Sequence, residues 1–353
     1  MINLQPDKTD IQSRSTFSST TRRQPIPWDT QKPFRILSID GGGIKGIFPA
    51  AFLAQMEQHL LEGRSVADNF DLITGTSTGG ILALGLASGI TATELCEIYI
   101  EKGRNVFPPL PDNLYGNIKK YYLHAKNSVL YRYEREPLHN LLVDIFGSRL
   151  LKDVKSRLCI PSFEGKFGEV YIFKTPHHPD YHLDANESLV TIAEATSAAP
   201  TYFQPHEKNG FTFVDGGVWA NNPVMIALVD ALTCFELNRN QIRVLSLGCG
   251  DTPYRVDNSH IVKGGLYHLR KIILAATHLQ SLNALGQAGL LIGPENLLRV
   301  NPQITSNPIE LDDWRRAKNE LPPVASKMFR EFQDRLATKF CVIPADQPHF
   351  YTS

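Results

Sequence analysis

Apolar and polar residues are arranged in blocks from residue 34 onward, and these blocks predict strands that alternate with helices. A short continuous apolar run predicts a buried strand, whereas apolar residues that recur every three or four positions predict a helix packed on one side. The predicted strands are 34–40, 70–76, 156–163, 169–174, 211–215 and 242–247, and the predicted helices are 46–61, 80–87, 91–102, 189–198 and 223–235. This alternation predicts an α/β fold of three layers, in which helices cover both faces of a mostly parallel sheet.

Three parts are expected along the chain. Residues 1–33 are rich in Ser, Thr and Gln and are interpreted as a flexible arm, although docking on a neighbouring subunit stays open, and with it a homo-oligomer. The α/β pattern occupies 34–235, and within it 104–135 is irregular: a packed connection is favoured over a lid or membrane-touching loop. Residues 236–353 add a strand and a largely helical extension, which either belongs to the same globule or is regulatory.

The composition narrows the classes of partner. Acidic and basic residues balance at 36 each, so no overall electrostatic field recruits a nucleic acid polymer. The five cysteines form no Cys-x-x-Cys pair, which favours reduced thiols in the cytoplasm. No apolar run approaches the roughly 20 residues of a membrane span. We therefore expect a cytoplasmic protein whose contact with lipid is peripheral.

The first candidate for chemistry is Gly75-Thr76-Ser77-Thr78-Gly79, which stands between a predicted strand and an apolar helix. A Gly-x-Ser-x-Gly sequence in this context is typical of a nucleophile elbow, a sharp turn with the serine at its tip. Side chains at Gly75 and Gly79 would collide where the backbone reverses, and the helix amides favour negative charge beside the Ser77 oxygen. A plain Gly-Ser turn is the alternative, because the bare pattern is common by chance.

The second candidate is the loop of Gly41, Gly42 and Gly43, which follows the first predicted strand, with Lys45 and Gly46 closing it. Without side chains this loop can approach a ligand and aim several amides at one point. In a parallel sheet it lies beside the elbow, so it suits an oxyanion hole. Lys45 either adds positive charge there or is solvated. Binding of a lipid phosphate is a further role that stays open for the loop.

The same hexapeptide matches Gly-x-Gly-x-x-Gly, so dinucleotide binding is an alternative. That function requires an acidic residue at the end of the second strand to hold a ribose. Here Thr74 and Thr76 stand at that end, while Asp68 and Asp71 lie at the strand's beginning. A Walker A loop is excluded because no Gly-Lys-Ser/Thr follows. The oxyanion role is therefore favoured over both nucleotide-binding functions.

The serine needs a base, and two kinds of residue compete for this role. Asp215 ends a predicted strand and precedes Gly216 and Gly217, a position suited to catalysis, although a turn-initiating aspartate is the alternative. His177 and His178 lie in a Pro-flanked loop and are expected at the surface. Four histidines follow the elbow in the chain order of an α/β-hydrolase triad: His260, His268, His278 and His349. A Ser-Asp-His triad therefore remains open beside a Ser–Asp pair.

Four segments together carry a resemblance to a known family. Asp40–Gly46, Gly75–Gly79 and Asp215–Gly217 resemble the three signature blocks of patatin-like phospholipases, and 195–200 resembles a fourth. Order and spacing also agree, over roughly 34–235. The family implies a Ser–Asp dyad without histidine, with Ser77 as nucleophile, Asp215 as base and Gly41–Gly43 as the oxyanion hole, in which the Gly42 and Gly43 amides bind the oxyanion. The other motif positions carried over are Asp40, Lys45, Gly46, Gly75, Gly79, Gly216 and Gly217.

The resemblance implies a patatin-like fold and a phospholipase that cleaves ester bonds of membrane phospholipids through an acyl-enzyme. No metal or cofactor is expected, because the histidines and cysteines lack ligand spacing and no acidic loop resembles a calcium site. The glycine-loop and elbow blocks also resemble those of cyclic-nucleotide-activated phospholipases in bacterial antiphage defence, so a cyclic di- or trinucleotide is a candidate activator. The basic residues of the helical tail are candidates to bind such an anionic signal, although a solvated basic face is favoured: Arg255, Lys263, Arg270, Lys271, Arg315 and Arg316. A non-catalytic storage or scaffold patatin is the competing interpretation.

Overall fold

The computed structural model of the chain describes residues 23–109, 131–250, 266–303 and 308–352, and the side chains of all of these except 266–274. Residues 1–22 of the predicted arm, most of the irregular segment 104–135 and the candidate base His260 lie outside this set. The strands are β1 (Phe34–Ile39), β2 (Leu72–Gly75), β3 (Arg157–Glu164), β4 (Glu169–Lys174), β5 (His206–Lys208), β6 (Phe211–Asp215), β7 (Ile242–Leu247) and β8 (Leu297–Val300).

All five helices predicted from the sequence are present. The helices are α1 (Ile47–Leu60), α2 (Thr78–Ala87), α3 (Ala92–Val106), α4 (Glu136–Phe146), α5 (Leu189–Thr196), α6 (Gly217–Ala220), α7 (Val224–Cys234), α8 (Leu266–Ile292) and α9 (Trp314–Phe340). Thr91 and Glu94 form the capping box that opens α3. None of the helices within the described ranges combines the length and the apolar character that crossing a bilayer requires.

The strands form one mixed sheet in the order β5-β6-β3-β2-β1-β7-β8, with β4 paired to β3. Strands β3, β2, β1, β7 and β8 run parallel, whereas β4, β5 and β6 are antiparallel to their neighbours. The carboxyl ends of the parallel strands define one edge of the sheet, which we call the carboxyl edge. Both the glycine loop after β1 and the elbow after β2 lie at this edge.

Strand β3 is long enough to pair with two strands along the same side. Its first residues pair with β2, up to Cys159 opposite Thr74. Its last residues pair with β6, which arrives from the opposite direction and ends at Asp215 opposite Ser162. The ends of β2 and β6 therefore face each other across a gap beside Pro161. A proline is tolerated there because its missing amide has no ladder partner to serve.

Alternate residues of the central strands face two separate cores, which confirms the three-layer architecture. On β1, Phe34 and Ile36 pack against α7 and α8, whereas Leu37 and Ile39 pack against the layer that contains α1, α2, α3, α4, α5 and α9. All of α2 is buried, which explains why Gly80–Ala87 is apolar on every side.

Several elements differ from the sequence-based expectation, among them the helices α4 and α6, which were not predicted. Helix α3 continues to Val106 rather than ending near Lys102. Strands β5 and β8 were not predicted, because β5 is short and polar and β8 has only four residues. Helix α9 runs through Pro322 and Pro323, and the buried side chains on one face hold it against α1.

Candidate active site

Ser77 occupies the turn between β2 and α2 in a strained conformation, with φ of 55° and ψ of −122°. A positive φ is unfavourable for a residue with a side chain, and such strain is concentrated at functional sites. The flanking glycines are required by space: a Cβ on Gly75 would overlap the carbonyl of Gly79, and a Cβ on Gly79 would overlap the carbonyl of Ile39. The elbow is thus packed tightly onto β1, and Ser77 is 9% exposed.

Asp215 lies at the end of β6, directly opposite the elbow. The hydroxyl of Ser77 donates to Oδ2 of Asp215 at 2.6 Å, and the amide of Gly217 donates to Oδ1 at 2.7 Å. The backbone amide of Asp215 is itself held by the carbonyl of Ala198 at 3.0 Å. Each carboxylate oxygen therefore has a fixed donor, and one of these donors is the serine hydroxyl.

Burial controls the acidity of this carboxyl group. Asp215 is 5% exposed, and the loss of hydration raises its pKa from 3.8 to about 6. Hydrogen bonds from Ser77 and Gly217 lower the pKa but only partly offset burial. Asp215 is thus ionised at neutral pH and much closer in basicity to imidazole than an ordinary aspartate.

Among the described residues, no histidine hydrogen-bonds to Ser77 or Asp215. His177 and His178, which were expected at the surface, are instead 1% and 2% exposed. The expectation was wrong because the Pro-flanked loop folds back onto α7, where His177 Nε2 lies 2.7 Å from Asp230. Burial of His177 lowers its pKa despite this partner.

Thr196, at the end of α5, fixes the backbone of the elbow. The amide of Ser77 donates to Thr196 Oγ1 at 3.0 Å, and the same hydroxyl donates to the carbonyl of Pro161 at 2.6 Å. Thr196 thus connects the serine to the gap in the ladder of β3. The sequence contained it in the fourth motif block, but residue type alone gave no reason to assign this contact.

The glycine loop lies beside the elbow and presents two unused donors. The amide of Gly41 donates to the carbonyl of Asn221 at 3.0 Å. Within the described ranges the amides of Gly42 and Gly43 have no hydrogen-bond acceptor. Gly43 has φ of 59°, and a Cβ there would overlap the carbonyl of Leu311. Of the three predicted donors, Gly42 and Gly43 are therefore free to bind an anion and Gly41 is occupied.

The other motif residues pack close to the elbow, to Asp215 or to the glycine loop. A Cβ on Gly46 would overlap the hydroxyl of Thr78, and a Cβ on Gly216 would overlap the carbonyl of Pro161.

Lys45 is not freely solvated, because its ammonium donates to the carbonyl of Gly250 at 3.0 Å. Asp40 is 1% exposed and accepts two hydrogen bonds from Arg299, at 3.0 and 2.7 Å. No motif or periodicity in the sequence pointed to Arg299.

A second buried polar cluster contains residue types that can bind a metal ion. Cys159, His177 and Asp230 each place one potential ligand atom within 4.8 Å of the others. However, Asp230 already accepts hydrogen bonds from Lys174 at 2.8 Å and Tyr181 at 2.7 Å. Burial would raise the pKa of Asp230, but Lys174 and His177 hold it below the ordinary value. The lysine ammonium neutralises the carboxylate and would repel a cation, so this cluster fits a structural ion pair better than a metal.

Comparison with known proteins gives these features a context. A model of the patatin-like phospholipase family matches residues 37–228. A cGAMP-activated phospholipase of Vibrio cholerae is 37% identical over 242 residues, which cover 64% of this chain and 67% of the relative. A cGAMP-activated phospholipase of Escherichia coli is 34% identical over 305 residues, which cover 79% of this chain and 83% of the relative. The solved structure of VipD from Legionella pneumophila aligns over 90% of this chain and 72% of its own, with a TM-score of 0.42 and 14% identity.

Proposed function

The chain belongs to the patatin-like phospholipase family, and from this premise we propose that it hydrolyses phospholipid esters with a Ser77–Asp215 dyad. The observation that carries the proposal is the 2.6 Å hydrogen bond from the Ser77 hydroxyl to a buried carboxylate. A serine hydroxyl is a weak nucleophile unless a base removes its proton, and Asp215 is the partner within reach.

The proposed reaction has two halves. As Ser77 Oγ attacks the ester carbonyl carbon, its proton passes to Asp215, and the negative charge that develops on the carbonyl oxygen is held by the Gly42 and Gly43 amides. When the tetrahedral intermediate collapses, the lysophospholipid alcohol leaves with the proton from Asp215. Water then attacks the acyl-serine ester, again with Asp215 as base, and releases the fatty acid and free Ser77.

The raised pKa of Asp215 supports this role. A carboxylate with a pKa near 3.8 would be a poor proton acceptor, whereas a pKa of about 6 brings the base close to the working pH. Burial thus supplies what an imidazole supplies in the familiar triad.

The dyad is tested by paired substitutions with matched controls, using phosphatidylglycerol vesicles and release of fatty acid as the readout. Ser77→Ala and Asp215→Asn should each lower turnover by several orders of magnitude. Ser88→Ala, at the far end of α2, and Asp144→Asn, an exposed aspartate on α4, should leave turnover near that of the unmodified protein. A folded Ser77→Ala protein that retains activity would overturn the assignment, and an essential histidine would favour the triad.

We further propose that a cyclic di- or trinucleotide activates the enzyme, in bacterial defence against phage. This proposal rests on the names of the Vibrio cholerae and Escherichia coli relatives, which are both cGAMP-activated phospholipases. Fatty-acid release should be slow without nucleotide and rise steeply with one member of a cyclic-nucleotide panel, with Ser77→Ala inactive throughout. Equal rates with and without every nucleotide would remove the activation proposal while leaving the hydrolase intact.

Lipid contact and assembly are part of the same proposal. Phospholipid esters reside in membranes, so the enzyme is expected to act as a cytoplasmic protein that binds the membrane surface peripherally. Flotation of the protein with vesicles tests that contact, and light scattering with and without nucleotide tests for a homo-oligomer.

A further inference from the structure

The glycine loop is anchored by residues that lie outside the segment matched by the family model. At its start, the Asp40 carboxylate receives two hydrogen bonds from Arg299 on β8. At its end, the amide of Ile44 donates to the carbonyl of Leu311 at 2.8 Å. The matched segment ends at residue 228, so both anchors come from the later part of the chain.

Arg299 is held in a fixed orientation on the sheet. It lies opposite Ser246 in the parallel pair of β7 and β8, and its guanidinium also donates to the Ser246 hydroxyl at 2.9 Å. A planar guanidinium that donates twice to one carboxylate fixes both the distance and the angle of its partner. The carboxylate of Asp40, at the very end of β1, is therefore held in one position relative to the sheet.

The position of Asp40 determines where the free amides point. Gly42 and Gly43 follow it by two and three residues, and glycines restrain their own backbone poorly. Oxyanion donors contribute to catalysis only if they are already aimed at the place where charge develops. Loss of Arg299 would remove two charge-assisted hydrogen bonds from the buried carboxylate of Asp40, and the loop would shift to hydrate or protonate it.

We propose that Arg299 is a positioning residue that sets the oxyanion loop through Asp40, which makes the region after residue 250 part of the catalytic apparatus. The proposal rests on the dyad and oxyanion hole proposed above. Within the part of the chain that the structure describes, Arg299 bonds to neither Ser77 nor Asp215, so its removal should slow the chemical step without weakening substrate binding.

The first test compares Arg299→Met with Arg243→Met, an arginine on β7 whose guanidinium donates to nearby backbone carbonyls at the other edge of the sheet. In the vesicle assay, Arg299→Met should lower kcat by about 10²-fold, as expected for the loss of one oxyanion donor, with KM within about threefold. Arg243→Met should change neither. An unchanged kcat in folded Arg299→Met protein, or a raised KM at constant kcat, would overturn the proposal.

Two further variants keep the test decisive if Arg299→Met does not fold. Arg299→Lys retains the charge but not the paired geometry, and Asp40→Asn retains one acceptor oxygen; each should still lower kcat at least tenfold. The double variant Asp40→Asn/Arg299→Lys should be no slower than the slower single variant, because both act on one contact. If the two losses in kcat multiplied in the double variant, or if the single variants had normal kcat, the proposal would be contradicted.

A fluorophosphonate probe separates this inference from the dyad itself. Its phosphonyl oxygen occupies the oxyanion hole during attack by the serine, so Arg299→Lys should label slowly but to one probe per chain. Ser77→Ala should not label at all. If Ser77→Ala still labels and turns over, the proposed function fails; if only the Arg299 variants behave like the unmodified protein, the positioning role alone fails.

Discussion

At the scale of a single residue, Asp215 links the proposed catalytic role to stability. Its pKa of about 6 in the folded protein lies above the ordinary 3.8, so the folded state binds this proton more tightly than the unfolded chain does. The ionised carboxylate therefore destabilises the fold at pH values above 6. This penalty disappears as pH falls through 6 towards 4, where the group is protonated in the folded protein and increasingly in the unfolded chain.

Asp215→Asn should consequently be more stable than the unmodified protein at pH 8. A difference between 3.8 and about 6 corresponds to at most roughly 3 kcal/mol, and the asparagine removes that charge. Urea unfolding at pH 8 and pH 4.5 measures the effect, which should shrink towards zero at the lower pH. A stability difference that is the same at both pH values would show that the charge is not its origin.

At the scale of the elements, the site depends on two strands that meet end to end along β3. All six strands predicted from apolar runs exist, because a buried strand carries its own local signal. The antiparallel direction of β6 carries no such signal, since it depends on pairing between residues about 50 positions apart, such as Ser162 and Asp215. The sequence thus placed Asp215 at a strand end, and the structure adds that the strand runs the opposite way.

The difference between local sequence patterns and long-range pairing also explains which site residues could be identified from the sequence. Ser77 and Asp215 stand among glycines whose spacing is a local pattern. Thr196 lies in the fourth motif block but without an assigned role, and Arg299 lies outside every motif; their partners are 119 and 259 residues away in the sequence. A side chain that acts through a distant backbone amide or carboxylate leaves no periodicity or motif of its own, so it is found only from coordinates.

Thr196→Val tests the contact between α5 and the elbow. Valine has nearly the same shape but leaves the Ser77 amide and the Pro161 carbonyl without the shared hydroxyl in a buried site. Stability should fall by about 1–3 kcal/mol, and kcat should fall with it, because the strained serine loses its backbone anchor. Thr196→Ser keeps the hydroxyl and should recover most of the activity; if it is as slow as Thr196→Val, restoring the hydroxyl does not restore the elbow, which would contradict the role assigned to this hydrogen bond.

At the scale of the whole molecule, both ends of the described chain contact residues of the segment 34–235. Ile26 bridges to Phe235, and Trp28 packs edge-on against Phe34 at the amino end of β1. Near the other terminus, the amide of Ala345 donates to the carbonyl of Asp68. Strand β8 extends the same sheet beyond β7. These contacts support the proposal that residues 236–353 belong to the same globule as 34–235.

Helix α9 provides the decisive test of that proposal. Phe329 is 2% exposed and packs against Phe52 and His59 of α1, with ring centroids 6.1 and 5.6 Å apart. Phe329→Ala should destabilise the protein by about 3–5 kcal/mol, whereas Phe167→Ala, at a 38% exposed position, should have a small effect. If the protein is one cooperative globule, hydrogen exchange of Phe329→Ala should show α9, β1 and β2 losing protection together. The urea concentration at which they do so should be lower than in the unmodified protein. If α9 were a separate extension, Phe329→Ala would expose α9 alone while β2 kept its protection and Ser77 its activity.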